Sequence, residues 1–557
     1  MPETADLPTG SSSMESKHNA PDALHKPQVP SQDEDDEYPP LSTDRTIIAT
    51  AIPVITDHFD SLGDVGWYAS AYLLTMSAFM LFMGRVYKFY NPKWVYISCV
   101  GVFELGSLVC GVAPNSTALI VGRAIAGLGS AGVMSGAITI VVYLVPLQKR
   151  PAYTGVFGGV MAVAFIAGPL LGGVFTDSIN LPLGGATMVM LAFVLKLNNY
   201  KPNKTPFKEQ LHQLDPLGTF VLIPAVTCLL LALQWGGTKY SWSNARIIVL
   251  LILSGILLIL FGYIQHWRQE RATIPPRIIK NRSVASGMAY VFCSGSGMMT
   301  ASYFLPIWFQ AIKGASAVHS GIMFLPAILG LTVSSMFAGF ATRKIGYYTQ
   351  FMFLSSVLTS IGAGLICTFT TTTSHEKWIG YQVLWGLGLG FGMQQPSVAA
   401  QTALPRPDVS TGVSLMFFCQ TLGGAIFVSV ANNIFDNKLA KGLAGIPGLN
   451  ADLVAHVGAT DLRDVVAHEY LHSVLVVYND ALRNAFYVCA ALAAATIVGA
   501  VFMPWKSLKK AAAEQQAQAK ADREHEKNER ESVSGRAGTD ARVDEGTAAQ
   551  EQKALEV

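Results

Sequence analysis

The chain has 557 residues, of which 51% are hydrophobic and only 14% are charged. Because a soluble domain usually carries about 25% charged residues, this composition argues against an ordinary soluble protein. The formal net charge is only +2, and no basic patch interleaved with aromatic residues occurs, so we expect no nucleic-acid partner.

Both ends of the chain are polar. Residues 1–43 contain the acidic run 33–37, and residues 506–557 are dominated by charged residues, Gln, Ala, Ser and Gly. Such segments cannot bury enough apolar surface to fold, so we expect two solvated, disordered tails. Residues 1–30 lack the apolar stretch of a signal peptide, so the spans themselves are expected to direct membrane insertion.

Between the tails the chain is a succession of apolar runs of about 20 residues, the length that crosses a bilayer core as a helix. Thirteen runs predict spans, at residues 67–84, 94–113, 117–141, 154–175, 181–197, 217–235, 246–266, 284–306, 320–341, 349–369, 377–397, 409–431 and 484–504. A stub at residues 46–55 precedes them and has about half the required length. Counted as a truncated first span, it gives an all-α polytopic membrane protein with about fourteen spans.

The basic residues of the short loops predict the orientation, since Lys and Arg accumulate on the cytoplasmic side of a membrane. They are concentrated in one alternate set of loops, which contains Arg85, Lys88, Lys93, Lys149, Arg150, Arg268, Arg271, Arg277, Lys280, Arg282, Arg343, Lys344 and Arg406. We assign this set and both tails to the cytoplasm. The long loop at residues 432–483 is then predicted to lie outside the cell or in a lumen.

Ionisable residues within or beside the predicted spans are the first candidates for chemistry, because a charge there is costly unless it is paired, protonated or faces a cavity. Asp44 and Arg45 adjoin the truncated first span and either handle protons, form a simple ion pair or belong to a solvated flank. Glu104 lies in the middle of the third span and either exchanges protons or stays protonated against a neighbouring helix. Arg123, in the fourth span, either faces a cavity or a partner or reaches back to the membrane surface.

Glycines mark the fourth and fifth spans. Gly127 and Gly129 follow Arg123, and such small residues allow a neighbouring helix to approach closely. The fifth span contains Gly168-Pro169 and Gly172-Gly173, and its proline frees a backbone carbonyl and bends the helix. From these residues alone, a structural kink and a functional one are equally consistent.

Polar residues also occur in the later spans and in the long outer loop. Gln394, Gln395 and Gln420 lie on otherwise apolar helices, where they either line a cavity or hydrogen-bond to other helices. His468 and His472 in the loop, with Glu469, match the zinc-protease pattern H-E-x-x-H, but no catalytic domain surrounds them. We therefore expect neither a metal site nor an enzyme. All seven cysteines lie in apolar runs and are predicted to be free packing thiols.

Taken together, these motifs resemble the major facilitator superfamily, in its fungal branch of fourteen-span drug:proton antiporters. The resemblance covers about residues 44–505 and rests on the segments Asp44–Pro53, Phe103–Ser107, Arg123–Gly129, Gly168–Gly173, Ile179–Gly184, Gly392–Pro396 and Phe418–Gly424. It implies two six-helix bundles around a central cavity, which is exposed alternately to the two sides of the membrane. A basic turn after Gly84 and a similar turn after Gly339 fit two related halves with an insert between them.

The resemblance also implies domain boundaries. The first bundle would cover residues 44–200, an insert of two spans with its linkers residues 201–283, and the second bundle residues 284–505. The sequence departs from the family pattern in three places. Lys88 stands where the family usually has an acid, Pro39–Thr43 stand where apolar residues are expected, and an aromatic segment before Ile179 is missing. The last two departures suggest lost coding segments.

The resemblance implies a proton-coupled efflux transporter of lipophilic toxins, drugs or secondary metabolites, and we expect no cofactor. Its partners would be a small-molecule substrate, protons and the lipid bilayer. We expect a monomer in the plasma membrane, with the vacuolar membrane as the alternative. The alternative functions are transport of a siderophore, vacuolar transport of basic amino acids, and a transport-dead product that results from the apparent gaps.

Overall fold

The computed structural model describes residues 65–172, 193, 210, 214–237, 239–447, 449, 462–517 and 521. Over these ranges the chain is mostly helical and forms no β-strand. The predicted first span at residues 46–55 and the predicted sixth span at 181–197 lie outside the described residues, apart from residue 193.

Four helices of the first bundle are described: α1 (Val65–Phe89), α2 (Pro92–Gly111), α3 (Ser116–Leu144) and α4 (Arg150–Gly172). Asparagine side chains start two of them. The side chain of Asn91 accepts a hydrogen bond from the backbone N–H of Lys93, and that of Asn115 accepts one from Ala118. These bonds satisfy N–H groups that have no partner within the helix. Both α1 and α2 pack along α3, which makes α3 the centre of this group.

The insert consists of α5 (Pro216–Trp235), α6 (Ala245–Arg268), one 3-10 turn (Gln269–Arg271) and the short helix α7 (Pro276–Lys280). α5 and α6 pack side by side, and the hydroxyl of Ser254 donates to the carbonyl of Ala225 at 2.9 Å. The remaining face of α6 is apolar and exposed, as expected for a helix that faces lipid. That face includes Ile252, Ile256 and Ile259.

The second bundle comprises α8 (Arg282–Lys313), α9 (Ala317–Met323), α10 (Leu325–Ile345), α11 (Thr349–Ile366), α12 (His375–Met393), α13 (Gln395–Ala403), α14 (Arg406–Leu443), α15 (Leu462–Val465) and α16 (His468–Phe502), followed by a helix at 508–517. Two predicted spans are broken helices, with Phe324 between α9 and α10 and Gln394 between α12 and α13. In both cases a proline, Pro326 or Pro396, stands in the first turn of the next helix, where a missing N–H costs nothing.

Eight of the described helices are long and apolar enough to cross a membrane, namely α2, α3, α5, α6, α10, α11, α14 and α16. The prediction of an all-α multi-span membrane protein is therefore confirmed, whereas the total number of spans stays a prediction. Parts of the predicted outer segment at 432–483, which stays a prediction, are helical rather than loop. α14 continues as helix to Leu443 and α16 already begins at His468.

The two bundles meet along two seams. In the first seam α1 packs against α14, and in the second seam α4 packs against α10. α5 contacts both α1 and α14, so the insert lies over the first seam. One end of the molecule, which we call the basic end, carries Arg85, Lys88, Arg268, Arg277 and Arg282, all from loops predicted to be cytoplasmic.

Candidate functional site

Arg123 is buried between α1 and α3, with a relative exposure of 1%. Its Nε donates a hydrogen bond to the carbonyl of Tyr68 at 2.8 Å, and its guanidinium carbon lies 4.6 Å from the centroid of the Tyr72 ring. The Tyr72 hydroxyl in turn donates to Ser130 Oγ at 2.6 Å. A hydrogen bond and an aromatic face together compensate part of the cost of burying the charge. This placement disfavours the alternative in which Arg123 reaches the membrane surface.

The two glycines that follow Arg123 allow two different helices to approach α3. A Cβ on Gly129 would lie 2.5 Å from the backbone nitrogen of Phe103 in α2. A Cβ on Gly127 would overlap Thr75 Oγ1 and the carbonyl of Tyr72 in α1. Any larger residue at either position must therefore push a neighbouring helix away from α3. The conformational role of these glycines stays a prediction.

Glu104 is half-buried on α2, which packs mainly against α3 and exposes Leu105 and Leu108 on its other side. Its Oε2 is buried and has no hydrogen-bond partner among the described residues. A carboxylate in that environment is costly to ionise, which favours the protonated form. Asp44 and Arg45, the other acid–base candidates of the first bundle, lie outside the described residues.

The predicted antiporter motif is only partly described. α4 runs through Gly168 and Pro169 and ends at Gly172, whereas Gly173 lies outside the described residues. The predicted bend at Pro169 therefore stays a prediction.

The three glutamines contact different helices. Gln395 Oε1 accepts a hydrogen bond from Thr342 of α10 at 3.3 Å, within the second bundle. Gln394, at the break between α12 and α13, faces α4 of the first bundle, because a Cβ on Gly158 would lie 2.9 Å from its Cγ. Gln420 packs on α8, where a Cβ on Gly295 would overlap its Cγ. Of the three, Gln394 is the one placed between the bundles.

The second seam is closed near the basic end by direct backbone contact. Ser335 Oγ of α10 donates to the carbonyl of Gly155 of α4 at 3.3 Å. A Cβ on Gly339 would lie only 2.5 Å from the carbonyl oxygen of Pro151 and 2.9 Å from Cα of Gly155. The two helices therefore touch through glycine, with no room for a side chain.

The first seam is closed at the same end by an ion pair. Lys88 Nζ of α1 lies 2.8 Å from Oδ1 of Asp408 in the first turn of α14, and the Asp408 side chain is 4% exposed. Burial acts to raise the pKa of Asp408, but hydrogen bonds from Arg277 and Lys88 outweigh it and hold the pKa below its ordinary value. Asp408 is therefore ionised at neutral pH and joins the two bundles.

Asp408 is the functional candidate that the sequence analysis missed. Lys88 departs from the family pattern because it replaces an acid, and Asp408 supplies an acid on the other side of the seam. One signal was available in the sequence. Asp408 is an isolated acid at the start of a predicted span, on the same predicted cytoplasmic side as Lys88. Beside this pair, Gln401, Thr411 and Ser414 are buried side chains without a hydrogen-bond partner in the described part of the chain.

Further titratable residues lie elsewhere in the described part of the chain. His468, Glu469 and His472 are exposed in the first turns of α16, rather than in a loop as predicted. Among the described residues, no group of three or more His, Cys, Asp or Glu side chains could hold a metal ion. Asp436, on α14 beyond the predicted span, is half-buried, and burial raises its pKa to about 6.

Comparison with known proteins agrees with this architecture. The chain matches the Major Facilitator Superfamily over residues 41–428. It is 53% identical over 476 residues to the MFS-type transporter VdtG of Byssochlamys spectabilis, covering 84% of this chain and 86% of that protein. It is 52% identical over 479 residues to the MFS-type efflux pump MFS1 of Arthroderma benhamiae, covering 84% and 89%.

Two further similarities concern specificity and fold. The chain is 47% identical over 478 residues to the rubrofusarin-specific efflux pump aurT of Gibberella zeae, covering 84% of this chain and 88% of that protein. A solved structure of the proton:xylose symporter XylE matches with a TM-score of 0.51 at 13% identity, covering 85% and 95%, and shows the fold alone. The family match over most of the chain and the relatives at about half identity establish that this chain belongs to the Major Facilitator Superfamily.

Proposed function

We propose that this protein is an efflux transporter that exports small lipophilic organic molecules, such as secondary metabolites or toxins, in exchange for protons. The observation that carries the proposal is the 47–53% identity, over 84% of the chain, to fungal proteins named as transporters and efflux pumps. One of these relatives is named for a single metabolite, rubrofusarin, which supports a secondary metabolite as the substrate class. No enzymatic step and no cofactor are part of the proposal.

Transport proceeds by alternating access between the two bundles. Both seams are closed at the basic end, so loading from that side requires the Lys88–Asp408 pair and the Ser335–Gly155 contact to separate. Gln401 and Ser414 are buried without partners in the described part of the chain, which costs about 1–3 kcal/mol for each unsatisfied group. Ser414 packs against Gly84 of α1, so opening the first seam hydrates its hydroxyl and recovers that cost. Ser414 therefore lines the loading path when the basic end is open.

Proton coupling is assigned to the first bundle. Glu104 takes up and releases the proton, because its buried Oε2 has no compensating partner among the described residues. Arg123 holds α1 against α3 through its contacts with Tyr68 and Tyr72. These contacts change when the two helices move relative to each other. Asp44 and Arg45 are assigned to the same bundle from sequence.

Substrate recognition is assigned to the glutamines of the second bundle. An amide both donates and accepts hydrogen bonds, which suits substrates with carbonyl and hydroxyl groups on an apolar skeleton. Gln394 faces the first bundle and is the leading contact, with Gln395 and Gln420 as further candidates. We place the protein in the plasma membrane as a monomer.

A susceptibility panel tests the proposed export. Cells that lack their own pumps would express the parent chain or Arg123→Ala at matched levels in the membrane. We expect the parent chain, but not the variant, to raise tolerance to several unrelated lipophilic compounds and to lower their accumulation. Growth rescue confined to chelated iron or basic amino acids would instead identify an importer or a vacuolar transporter. No effect with any compound would identify a transport-dead product.

A further inference from the structure

Among the described residues, the insert packs on one of the two seams and not on the other. α5 packs against α1 and α14 at once and so covers the first seam. Neither α5 nor α6 makes a comparable contact with α4 or α10, the helices of the second seam, within the described residues. A two-bundle transporter can form its seams without α5 and α6. The contacts that these two helices make with the bundles therefore indicate their role.

At the basic end the insert shares a carboxylate with the first seam. Arg277 of α7 places Nη1 2.6 Å from Oδ2 of Asp408, while Lys88 of α1 occupies Oδ1 of the same group. Arg277 Nε also donates to Glu270 at 2.8 Å, and the backbone carbonyl of Glu270 accepts from Arg85 of α1 at 3.3 Å. The linker after α6 is therefore tied to both helices of the first seam.

The linker itself is held to the helices of the insert by one buried acid. Asp215, which is fully buried, accepts hydrogen bonds from the side chain of Gln265 at 3.1 Å and from the N–H and hydroxyl of Thr273 at 2.8 and 2.9 Å. Its other oxygen caps α5 through the N–H of Gly218 and lies 3.4 Å from Arg268. A displacement of Arg277 would consequently also move the start of α5 and the end of α6, because Asp215 connects the linker to both.

The opposite end of the insert is also attached to both bundles. In the turn between α5 and α6, Trp242 Nε1 donates to Asn433 Oδ1 of α14 at 2.6 Å. The amide of Asn433 returns a hydrogen bond to the carbonyl of Gly236 at 3.2 Å. On the other side, Trp235 of α5 packs edge-on against Trp67 of α1, with ring centroids 5.8 Å apart.

We propose that the insert is a strap across the first seam, fastened to both bundles at both ends, and that Arg277 is the positioning residue that holds its basic end on Asp408. The strap makes the two seams unequal. Opening of the second seam has to break the Gly339 contact and the Ser335–Gly155 hydrogen bond, neither of which involves the insert. Opening of the first seam has to break the Arg277–Asp408 contact as well as the Lys88–Asp408 pair, or carry the insert with it. The Arg277–Glu270 pair is largely exposed and adds little, so the buried Asp408 carboxylate is the effective anchor.

Cysteine accessibility tests the strap without any substrate, so the result does not depend on the proposed export. One cysteine is placed in each seam, at Ser414 in α14 or at Ser335 in α10. Inside-out vesicles are treated with a membrane-impermeant maleimide, and the parent chain gives the background from its own thiols. In an Arg277→Ala background we expect the labelling rate of Ser414→Cys to rise several-fold, while that of Ser335→Cys stays unchanged.

Two linker variants serve as controls. Arg271→Ala removes an exposed cation from the same linker without removing a contact to Asp408, and it should leave both labelling rates unchanged. Arg277→Lys keeps a cation beside Asp408 and should return the Ser414→Cys rate toward the parent value, which excludes general unfolding. An equal increase at both seams, or no increase at Ser414→Cys, would overturn the strap.

Discussion

Asp408 and Glu104 have opposite surroundings. We assign a structural role to Asp408 and a chemical role to Glu104 on the basis of this difference. Asp408 is buried but faces two cations, Lys88 and Arg277, and so stays ionised. Glu104 lies at membrane depth with a buried oxygen that has no partner in the described ranges. Because an acid without a counter-charge is costly to ionise, Glu104 is the acid to which we assign the proton in the proposed exchange.

The first prediction tests Glu104 as the proton carrier. Glu104→Gln keeps the size and hydrogen-bonding capacity of the side chain but cannot exchange a proton. We expect extrusion driven by a pH gradient to fall to background while substrate binding and membrane expression remain. Transport into vesicles with an imposed pH gradient, and binding of labelled substrate, give the two readouts.

The control for Glu104→Gln is Glu376→Gln, which makes the same change at an exposed acid in the first turn of α12. It should leave transport unaltered. Gradient-driven transport at the parent rate in Glu104→Gln would remove Glu104 from the mechanism and direct attention to Asp44.

Residue-level inference from sequence succeeded where the type of a single residue carries the signal, and failed where the role depends on which distant residue it meets. The cost of burying a charge correctly marked Arg123 as a residue that needs partners, and the structure supplies Tyr68 and Tyr72. Asp408 was missed because its partner Lys88 is 320 residues away, and no local pattern reports such a pairing. The glutamines were marked as polar, but which helix each one faces depends on how the bundles pack.

At the scale of helices, apolar runs located the membrane-crossing segments but not where the helices themselves end. α14 has 38 residues, or about 57 Å at 1.5 Å per residue, against a bilayer core of about 30 Å. Its extension stays helical because it still buries apolar residues, including Phe435 and Leu439, beyond the predicted span. Hydropathy predicts the part of a helix that crosses the membrane. The ends of the helix depend on capping and packing, which a run of apolar residues does not reveal.

The second prediction concerns the glycine contact of the second seam. Gly339→Ala introduces a Cβ that would lie 2.5 Å from the carbonyl oxygen of Pro151, so α4 and α10 must move apart. We expect closure at the basic end to be disfavoured, so that Ser335→Cys is labelled several-fold faster and the transport rate falls. Labelling in inside-out vesicles and transport by the same preparations measure the two effects.

The matched substitution is Gly364→Ala in α11, where an added Cβ meets nothing within 4 Å. It should change neither labelling nor transport, although both variants replace a helical glycine by alanine. If Gly339→Ala behaved like Gly364→Ala, closure of the second seam would not depend on this contact.

At the scale of the whole molecule, the fold brings residues from distant loops to a common end. Arg85 comes from the end of α1, and Arg268 and Arg277 come from the end of α6 and the linker after it, yet they meet around Asp215, Glu270 and Asp408. The alternation of basic loops predicted this grouping, because successive spans return the chain to the same side. The positive-inside rule predicts that this end faces the cytoplasm. On that prediction, the state described here is closed toward the cytoplasm, since both seams are closed at the basic end.

The last prediction concerns sidedness, which decides the side of the membrane that the closed seams face. Ser243 is exposed in the turn between α5 and α6, and Lys344 is exposed near the end of α10 at the basic end. We expect a membrane-impermeant thiol reagent to label Ser243→Cys in intact cells, and to label Lys344→Cys only after permeabilisation, with the parent chain as background. The reason is that insertion retains loops rich in Lys and Arg in the cytoplasm. The reverse pattern would place the closed seams on the outer side. A substrate would then be loaded from the cytoplasm in the state described here, and Lys88–Asp408 would act as an outer gate rather than as a barrier to loading.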